Sequence, residues 1–147
     1  MSGYLLDVNV LVALLWTNHD QHEAAKAWFQ GHQREGWATC PLTQAGFVRV
    51  SSNPRVFPEA PAPAKAVDIL RANLKHPKHR FLRDTITLFE AVRPFEDRFT
   101  GHQQTTDAYL FGLAIHERVA LATFDQSVAV LAGENAALLK SLEILKV

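Results

Sequence analysis

The sequence predicts an α/β domain with a central, mostly parallel sheet and helices on both of its faces. Three short apolar runs are typical of buried strands, and helical patterns with apolar residues at i, i+3 and i+4 stand between them. Strands that alternate with helices form parallel sheets through right-handed crossovers. The 147 residues suffice for one such domain, which we expect to span residues 1–147.

The elements follow one another in the order that this fold requires. Strands are predicted at Leu5–Val8, Trp37–Cys40, Phe81–Leu82, Val119–Phe124 and Leu142–Leu145. Helices are predicted at Val10–Trp16, His22–Arg34, Gln44–Val50, Ala64–Leu74, Thr85–Val92, Thr106–Glu117 and Ser127–Leu131. Thr43 is predicted to cap the helix that starts at Gln44. The proline-rich segment Phe57–Pro63 is predicted to be a surface loop.

Composition and charge limit the classes of function. The chain is 48% hydrophobic and 20% charged, which is ordinary for a soluble globular protein and argues against disorder. Lys plus Arg and Asp plus Glu number 15 each, so no global basic excess indicates nucleic acid, although a local patch remains compatible with this balance. The densest basic run is Lys75–Arg80, followed by Arg83. A phosphate contact and a solvated loop are both open interpretations of this run.

Several kinds of site are excluded by residue counts and spacing. Cys40 is the only cysteine, so no internal disulfide and no cysteine-based zinc site are possible, and we expect it to be buried. The seven histidines have no zinc-like spacing. The longest apolar run, Val10–Trp16, is far shorter than the ~20 residues of a membrane-spanning helix. We therefore expect a cytoplasmic protein without a membrane association.

Three aspartates stand at the edges of apolar runs. Asp7 closes the first run, Asp125 closes the run Val119–Phe124, and Asp107 opens a helical stretch. A carboxylate that ends a strand of a parallel sheet lies at the edge where α/β folds bind ligands. Three carboxylates at one edge raise one another's pKa unless a cation lies between them. The pattern therefore predicts that Asp7, Asp107 and Asp125 bind a divalent metal.

The chemistry of such a site matches phosphodiester hydrolysis. Mg²⁺ prefers oxygen ligands and keeps several waters, so a few carboxylates suffice, and the bound ion can activate water. Asn9, two residues after Asp7, offers an amide to hold Asp7 or a metal-bound water. Thr106 has two open interpretations, as a helix cap or as a phosphate ligand. Each of these aspartates alone also has a local explanation, in a turn or a cap.

Four motifs follow one another along the chain, at Leu5–Leu11, Pro41–Val50, Thr106–Leu110 and Leu121–Asp125. In this order they resemble the motifs of the PIN domain family, most closely its VapC-type toxins of toxin–antitoxin pairs. The resemblance covers essentially the whole chain. It implies a Mg²⁺-dependent endoribonuclease, with Mn²⁺ as a possible substitute, whose acidic cluster falls on Asp7, Asp107 and Asp125. It also implies a homodimer, an RNA substrate and a small cognate antitoxin.

One position departs from the family pattern. Where the family usually has a glutamate at the start of the second helix of the pattern, this chain has Gln44, which carries no charge. We expect weaker metal binding, with Gln44 still able to position a metal-bound water. Glu23 and Asp84 are candidates to compensate for the missing carboxylate, but the sequence does not place either in the site.

Two other functions compete with the ribonuclease. A catalytically weak or silent PIN fold that binds RNA or protein is supported only by Gln44. A phosphotransfer domain with Asp7 as nucleophile is disfavoured, because the haloacid-dehalogenase-like pattern requires a second aspartate where this chain has Asn9. Restoring glutamate at position 44 distinguishes the first alternative, since a gain of activity favours it.

Overall fold

Five strands form the central sheet of the structure, a computed structural model that describes residues 2–147. The strands are β1 (Tyr4–Leu6), β2 (Trp37–Thr39), β3 (His79–Phe81), β4 (Ala120–Thr123) and β5 (Leu142–Ile144). Their order across the sheet is β3-β2-β1-β4-β5, and every neighbouring pair is parallel. The predicted fold class is confirmed, with a sheet that is entirely rather than mostly parallel.

Helices connect the strands and cover the sheet. They are α1 (Val8–Leu15), α2 (His22–His32), α3 (Pro41–Ser51), α4 (Pro63–Asn73), α5 (Leu88–Val92), α6 (Thr105–His116), α7 (Ala129–Ala132) and α8 (Ala136–Leu139). Short 3-10 turns lie at Gln33–Glu35, Arg93–Phe95, His102–Gln104 and Gln126–Val128. None of the helices within residues 2–147 has both the length and the apolar character that crossing a membrane requires.

The core has two parts because successive strand residues point to opposite faces of the sheet. Leu5 points to one face, where it packs in a cluster with Leu110 and Phe111 of α6. Leu6 points to the other face, where it joins a cluster that contains Val10 of α1 and Phe47 of α3. The strands are buried on both faces, which explains why they appear in the sequence as continuous apolar runs.

Capping geometry moves several predicted boundaries. Val8 was predicted to end the first strand, but it begins α1, because the Asp7 side chain accepts a hydrogen bond from the Val8 backbone N–H. Thr43 was predicted to cap α3, but the cap is Cys40, and Thr43 lies three residues into the helix, where its Oγ1 accepts from the Cys40 N–H at 2.9 Å. The Thr85–Val92 helix is shorter than predicted, because Thr87 caps it at Leu88.

Of the two interpretations left open for Thr106, the helix cap does not apply. Helix α6 begins at Thr105 and its cap position is Gln104, so Thr106 is the second residue of the first turn. A 3-10 turn at His102–Gln104 leads directly into the helix. Thr106 is exposed, so its hydroxyl faces outward from the start of α6.

The chain changes direction across the sheet at β1. From β1 it proceeds to β2 and β3 on one side, and it then crosses to β4 and β5 on the other side. At such a point the connections after two adjacent strands lead away from each other and leave a crevice at the carboxyl edge. Here the crevice lies between the ends of β1 and β4, where Asp7 follows β1 directly and Asp125 follows β4 after one intervening residue.

Candidate active site

The three predicted carboxylates line one cavity at the crevice between β1 and β4. The cavity has a volume of about 300 Å³ and is lined by Asp7, Val8, Asn9, Val12, His19, Val50, Asp107 and Asp125. Asp7 reaches it from the end of β1, Asp125 from the end of β4, and Asp107 from the first turn of α6. The topology of the sheet thus brings together three residues that are up to 118 positions apart in the sequence.

Asp7 is held in place by a network of hydrogen bonds centred on Thr123. The Asp7 Oδ1 accepts from the Val8 N–H at 2.7 Å, and its Oδ2 accepts from the Thr123 hydroxyl at 2.8 Å. Thr123 is fully buried, and its Oγ1 accepts from Asn9 Nδ2 and from the Asp125 N–H, each at 3.1 Å. The threonine hydroxyl has one hydrogen to donate and two lone pairs to accept. All three are used here, so the network leaves Asp7 a single orientation.

Asn9 links the first turn of α1 to the end of β4. In addition to its bond with Thr123, its Oδ1 accepts from the Phe124 N–H at 3.1 Å. The amide therefore bridges the start of α1 to the end of β4. Asn9 and Asp7 thus share Thr123 as a hydrogen-bond partner, while the two roles expected for Asn9 stay predictions.

Asp125 and Asp107 have different surroundings. Asp125 is exposed, and its Oδ1 accepts from the backbone N–H and the hydroxyl of Ser127 at 2.9 and 2.6 Å. Asp107 is half-buried, and within residues 2–147 its carboxylate accepts no hydrogen bond. Of the three carboxylates, Asp107 therefore receives the fewest protein hydrogen bonds in place of the water that it loses on burial.

The pKa values of the buried carboxyls reflect these surroundings. Burial, and then the negative charges of Asp7 and Asp125, raise the pKa of Asp107 to about 6. Burial also raises the pKa of Asp7, although hydrogen bonds from Thr123 and Val8 act in the opposite direction. The charge of Asp125 adds to this increase at Asp7. The three carboxylates therefore repel one another across the cavity, as groups that lack a shared cation do.

The donor set fits a divalent metal that prefers oxygen, but the residues do not form a closed shell. Within residues 2–147, no three histidine, cysteine, aspartate or glutamate side chains are arranged so that they could hold a metal ion as they stand. Mg²⁺ does not need such a cage, because it keeps several waters and is often held by one or two carboxylates. A half-buried carboxylate without hydrogen bonds, beside two further carboxylates, offers that kind of position.

The other predicted residues lie outside the lining of this cavity. Gln44 is hydrogen-bonded through Nε2 to Thr39 Oγ1 at 3.0 Å and lines a neighbouring groove. Glu23 is exposed on the first turn of α2, and Asp84 accepts from the Tyr109 hydroxyl at 2.6 Å. Neither carboxylate takes the place of the missing glutamate in the cavity lining.

The sequence interpretation missed two residues of the site. His19 lines the cavity from the connection between α1 and α2, where its Nδ1 accepts from the Gln21 N–H at 3.0 Å. Thr123, which binds Asp7, appeared only as part of a strand. No pattern in the sequence indicates either role, because His19 depends on the path of a loop and Thr123 on a neighbouring strand.

Comparisons with known proteins agree on one family. The profile of the PIN domain family matches residues 4–134. Ribonuclease VapC38 of Mycobacterium tuberculosis is 48% identical over 131 residues, which cover 89% of this chain and 91% of that protein. Ribonuclease VapC44 of the same species is 43% identical over 132 residues, covering 90% of this chain and 92% of that protein.

Solved structures share the fold at low sequence identity. The crystal structure of Mycobacterium tuberculosis VapC20, described as a sarcin–ricin loop cleaving toxin, has a TM-score of 0.64 and 16% identity, and covers 88% of this chain and 95% of that one. The structure of VapBC2 from Rickettsia felis, bound to a DNA fragment from the promoter of that pair, has a TM-score of 0.59 and 14% identity, and covers 98% and 99%. At these identities the likeness establishes the architecture alone.

Proposed function

The chain belongs to the PIN domain family, and on that premise we propose that it is an endoribonuclease that acts as the toxin of a VapBC-type toxin–antitoxin pair. Relatives at 37–48% identity are named Ribonuclease VapC and match most of the chain. The single observation that carries the proposal is the cavity where Asp7, Asp107 and Asp125 meet. Three acidic side chains at a topological switch point, with the pKa of Asp7 and Asp107 raised, are typical of a functional site rather than of a structural one.

We propose that the activity depends on Mg²⁺, with Mn²⁺ as a substitute. Asp7, Asp107 and Asp125 would hold the ion, which when bound supplies an activated water and neutralises charge in phosphodiester hydrolysis. Thr123 and Asn9 keep the Asp7 carboxylate oriented toward the cavity. Asp107 contributes a carboxylate that no protein donor within residues 2–147 already occupies. In this proposal, Thr106 contacts a substrate phosphate from the start of α6.

The alternative of a silent PIN fold loses its support. It rested on the missing charge at Gln44, yet the side chain of Gln44 is tied to Thr39 and does not line the acidic cavity. The neutral side chain of Gln44 therefore does not lower the number of charges that line the acidic cavity. We propose that the three aspartates are sufficient for cleavage, and that Gln44 has a different task.

The proposal includes the molecules that act with this chain. The substrate is cellular RNA, which is consistent with a cytoplasmic location. A small cognate antitoxin is the inhibitory partner, and the VapBC2 structure is an example of such a pair in the same fold. We also propose that two copies of the chain form a homodimer.

Cleavage assays with carboxamide variants test the function. Purified protein is incubated with total cellular RNA and with Mg²⁺, Mn²⁺ or EDTA. We expect endonucleolytic cleavage that EDTA abolishes. Asp7→Asn and Asp107→Asn preserve the size of the side chain but remove its charge. Each should reduce the rate by roughly 100-fold or more, since even the loss of a residue that only hydrogen-bonds a metal ligand typically costs about 10- to 100-fold.

Asp97→Asn is the matched control, because Asp97 is exposed and does not line the cavity. This variant should cleave RNA at the wild-type rate. If Asp107→Asn retains that rate at limiting metal, the carboxylates do not carry the chemistry. Cleavage that continues in EDTA would reject the metal dependence.

A further inference from the structure

A groove beside the acidic cavity has the size and chemistry of a nucleotide site. It has a volume of about 360 Å³ and is lined by Gln44, Val67, Leu70, Arg71, Leu74 and Lys75. Helix α3 separates the two concave sites, since it contributes Val50 to the acidic cavity and Gln44 to the groove. A volume of this size lies in the range of small-molecule sites, which begins at roughly 300 Å³.

The lining of the groove divides into an apolar part and a cationic part. Val67, Leu70 and Leu74 present an apolar surface on which the face of a base can lie. Arg71 lies in the last turn of α4, and Lys75 lies in the turn that follows the end of this helix at Asn73. Arg71 also pairs with Asp68 at the exposed surface, at 2.9 Å, whereas no carboxylate within residues 2–147 pairs with Lys75. This charge complements a phosphate group.

The orientation of the Gln44 amide is set through Thr39 and the half-buried ring of His79. Gln44 Nε2 lies 3.0 Å from Thr39 Oγ1, and Thr39 Oγ1 lies 2.8 Å from His79 Nε2. Burial lowers the pKa of His79, which favours the neutral ring, and one nitrogen of a neutral imidazole accepts a hydrogen bond.

This arrangement leaves an acceptor facing the groove. Gln44 Nε2 donates to Thr39 Oγ1, which leaves the single hydrogen of the Thr39 hydroxyl for His79 Nε2. Thr39 is fully buried and has no second hydrogen to donate. The amide of Gln44 is thus held with its NH₂ group toward Thr39, and its Oε1 remains available on the groove side.

We propose that this groove binds one nucleotide of the RNA substrate, with its phosphate at Arg71 and Lys75 and its base over the apolar residues of α4. In this site Gln44 Oε1 accepts a hydrogen bond from the exocyclic amino group of cytosine or adenine. Uracil and hypoxanthine present a carbonyl at the corresponding position and are disfavoured. The identity of the ligand as RNA rests on the proposed function, whereas binding in the groove requires neither metal nor cleavage.

Titration with mononucleotides tests the site independently of activity. The full chain is titrated with cytidine or uridine 5′-monophosphate in EDTA, and backbone resonances are followed by NMR. We expect shifts at Gln44 and along Val67–Lys75. Cytidine should bind about three- to tenfold more tightly than uridine, the ratio that one hydrogen bond provides. Absence of shifts in the groove overturns the site, and equal binding of the two nucleotides overturns the role of Gln44.

Charge variants separate this site from general electrostatics. Lys75→Ala and Arg71→Ala should each weaken both nucleotides several-fold. Lys65→Ala is the matched control, since Lys65 is exposed on the same helix outside the groove lining. An equal loss in all three variants overturns the site. If nucleotides bind in the groove in EDTA but the protein never cleaves RNA, the ribonuclease function is wrong and the nucleotide site is retained. If the protein cleaves RNA but nucleotides cause no shifts in the groove, the nucleotide site is wrong and the ribonuclease function is retained.

The tautomer of His79 provides a readout that a merely structural Gln44 would not change. In the wild type, ¹⁵N spectra should show hydrogen on Nδ1 and none on Nε2. Gln44→Glu offers Thr39 only acceptor oxygens, so the hydroxyl turns to the carboxylate and His79 must carry a hydrogen on Nε2. The preference for cytidine should also disappear. A hydrogen on Nε2 in the wild type overturns the proposed orientation of the amide.

Discussion

The three aspartates of the cavity are unequal, and the difference comes from their hydrogen bonds. Asp7 receives donors on both oxygens, Asp125 receives two on one oxygen, and Asp107 receives none within residues 2–147. A carboxylate that loses hydration without gaining donors is destabilised in its charged form. Asp107 is therefore the residue at which removal of the charge changes the metal-free protein most.

Asp107→Asn should stabilise the metal-free protein at neutral pH. The pKa of Asp107 is 3.8 without perturbation and about 6 in the folded chain. The folded state therefore binds more protons across this window, and stability falls as the pH rises through it. Because solvent screens a half-buried group, we expect a gain on the order of 1 kcal/mol near pH 7.5. Urea unfolding in EDTA measures it.

The pH dependence supplies the control for this prediction. Below the unperturbed pKa both states carry a protonated Asp107, so the advantage of the variant should disappear in acid. Asp97→Asn, at an exposed site, should have no effect at either pH. An Asp107→Asn protein that is less stable than the wild type near pH 7.5 would show that the charged carboxylate of Asp107 does not destabilise the folded protein.

Thr123 should be more important for stability than its size indicates. Thr123→Val keeps the shape but removes the donor to Asp7 and the acceptor for Asn9 and for the Asp125 N–H. We expect a loss of about 2–4 kcal/mol in the free energy of unfolding, because buried polar groups lose their partners. Thr123→Ser retains the hydroxyl and should cost about 1 kcal/mol. Equal losses in the two variants would mean that only the methyl group matters.

At the scale of elements, the sequence predicts which segments are strands and helices better than where they begin. The runs ending at Asp7 and Asp125 identified β1 and β4, because their apolar character is independent of their neighbours. The boundaries at Val8, Cys40 and Leu88 depend on which side chain accepts from a backbone N–H, and several residues at each junction are capable of this.

The same reasoning explains how much of the site the sequence predicted. The three aspartates follow or start elements, so topology alone brings them to one edge. His19 and Thr123 were missed because no local pattern encodes their roles: His19 depends on the path of a loop to the cavity, and Thr123 on a contact with Asp7 across 116 positions. Gln44 was found from a motif, but the direction of its side chain depends on Thr39 and His79, which only the packed sheet brings together.

The contact between α5 and α6 depends on a glycine. A Cβ at Gly112 would overlap the backbone oxygen of Ala91, and a backbone atom cannot move aside as the end of a side chain can. Gly112→Ala should therefore force the helices apart and lower the free energy of unfolding by about 1–3 kcal/mol or more. Thermal and urea unfolding measure the loss.

Gly31→Ala is the matched control for helix propensity. Gly31 lies in α2, and nothing is within 4 Å of a Cβ at that position. Alanine should stabilise this helix by roughly 0.5–1 kcal/mol. Opposite signs for the two glycines would separate close packing from propensity. A stabilising Gly112→Ala would mean that α5 is not tightly packed on α6.

At the scale of the whole molecule, a net charge of zero conceals a separation of charge. The cavity between β1 and β4 gathers three carboxylates, and the groove on the other side of α3 carries Arg71 and Lys75. An RNA strand that crosses α3 would meet cations for its phosphates on one side and the acidic residues on the other. Local placement, rather than total charge, therefore makes the chain suited to a polyanion.

The exposed apolar start of α5 is the surface that we expect to join two copies of the chain. Phe89 is 76% exposed and its neighbour Leu88 is 45% exposed, although Ala91 and Phe95 of the same segment are buried. Adjacent large apolar residues on a surface indicate an interface. Phe89→Asp places a charge there, and burial of an unpaired charge costs several kcal/mol. Sedimentation velocity should show a dimer for the wild type and a monomer for Phe89→Asp.

Val56→Asp is the control for this last prediction. Val56 is 46% exposed, and it precedes Phe57, which packs in the core on the face of the sheet opposite to that of Phe95. The control should remain dimeric, and both variants should keep the far-UV circular dichroism of the wild type. A Phe89→Asp protein that sediments as a dimer would exclude this surface. A wild type that is monomeric throughout would instead leave Phe89 free for the antitoxin, whose binding the same variant should then weaken.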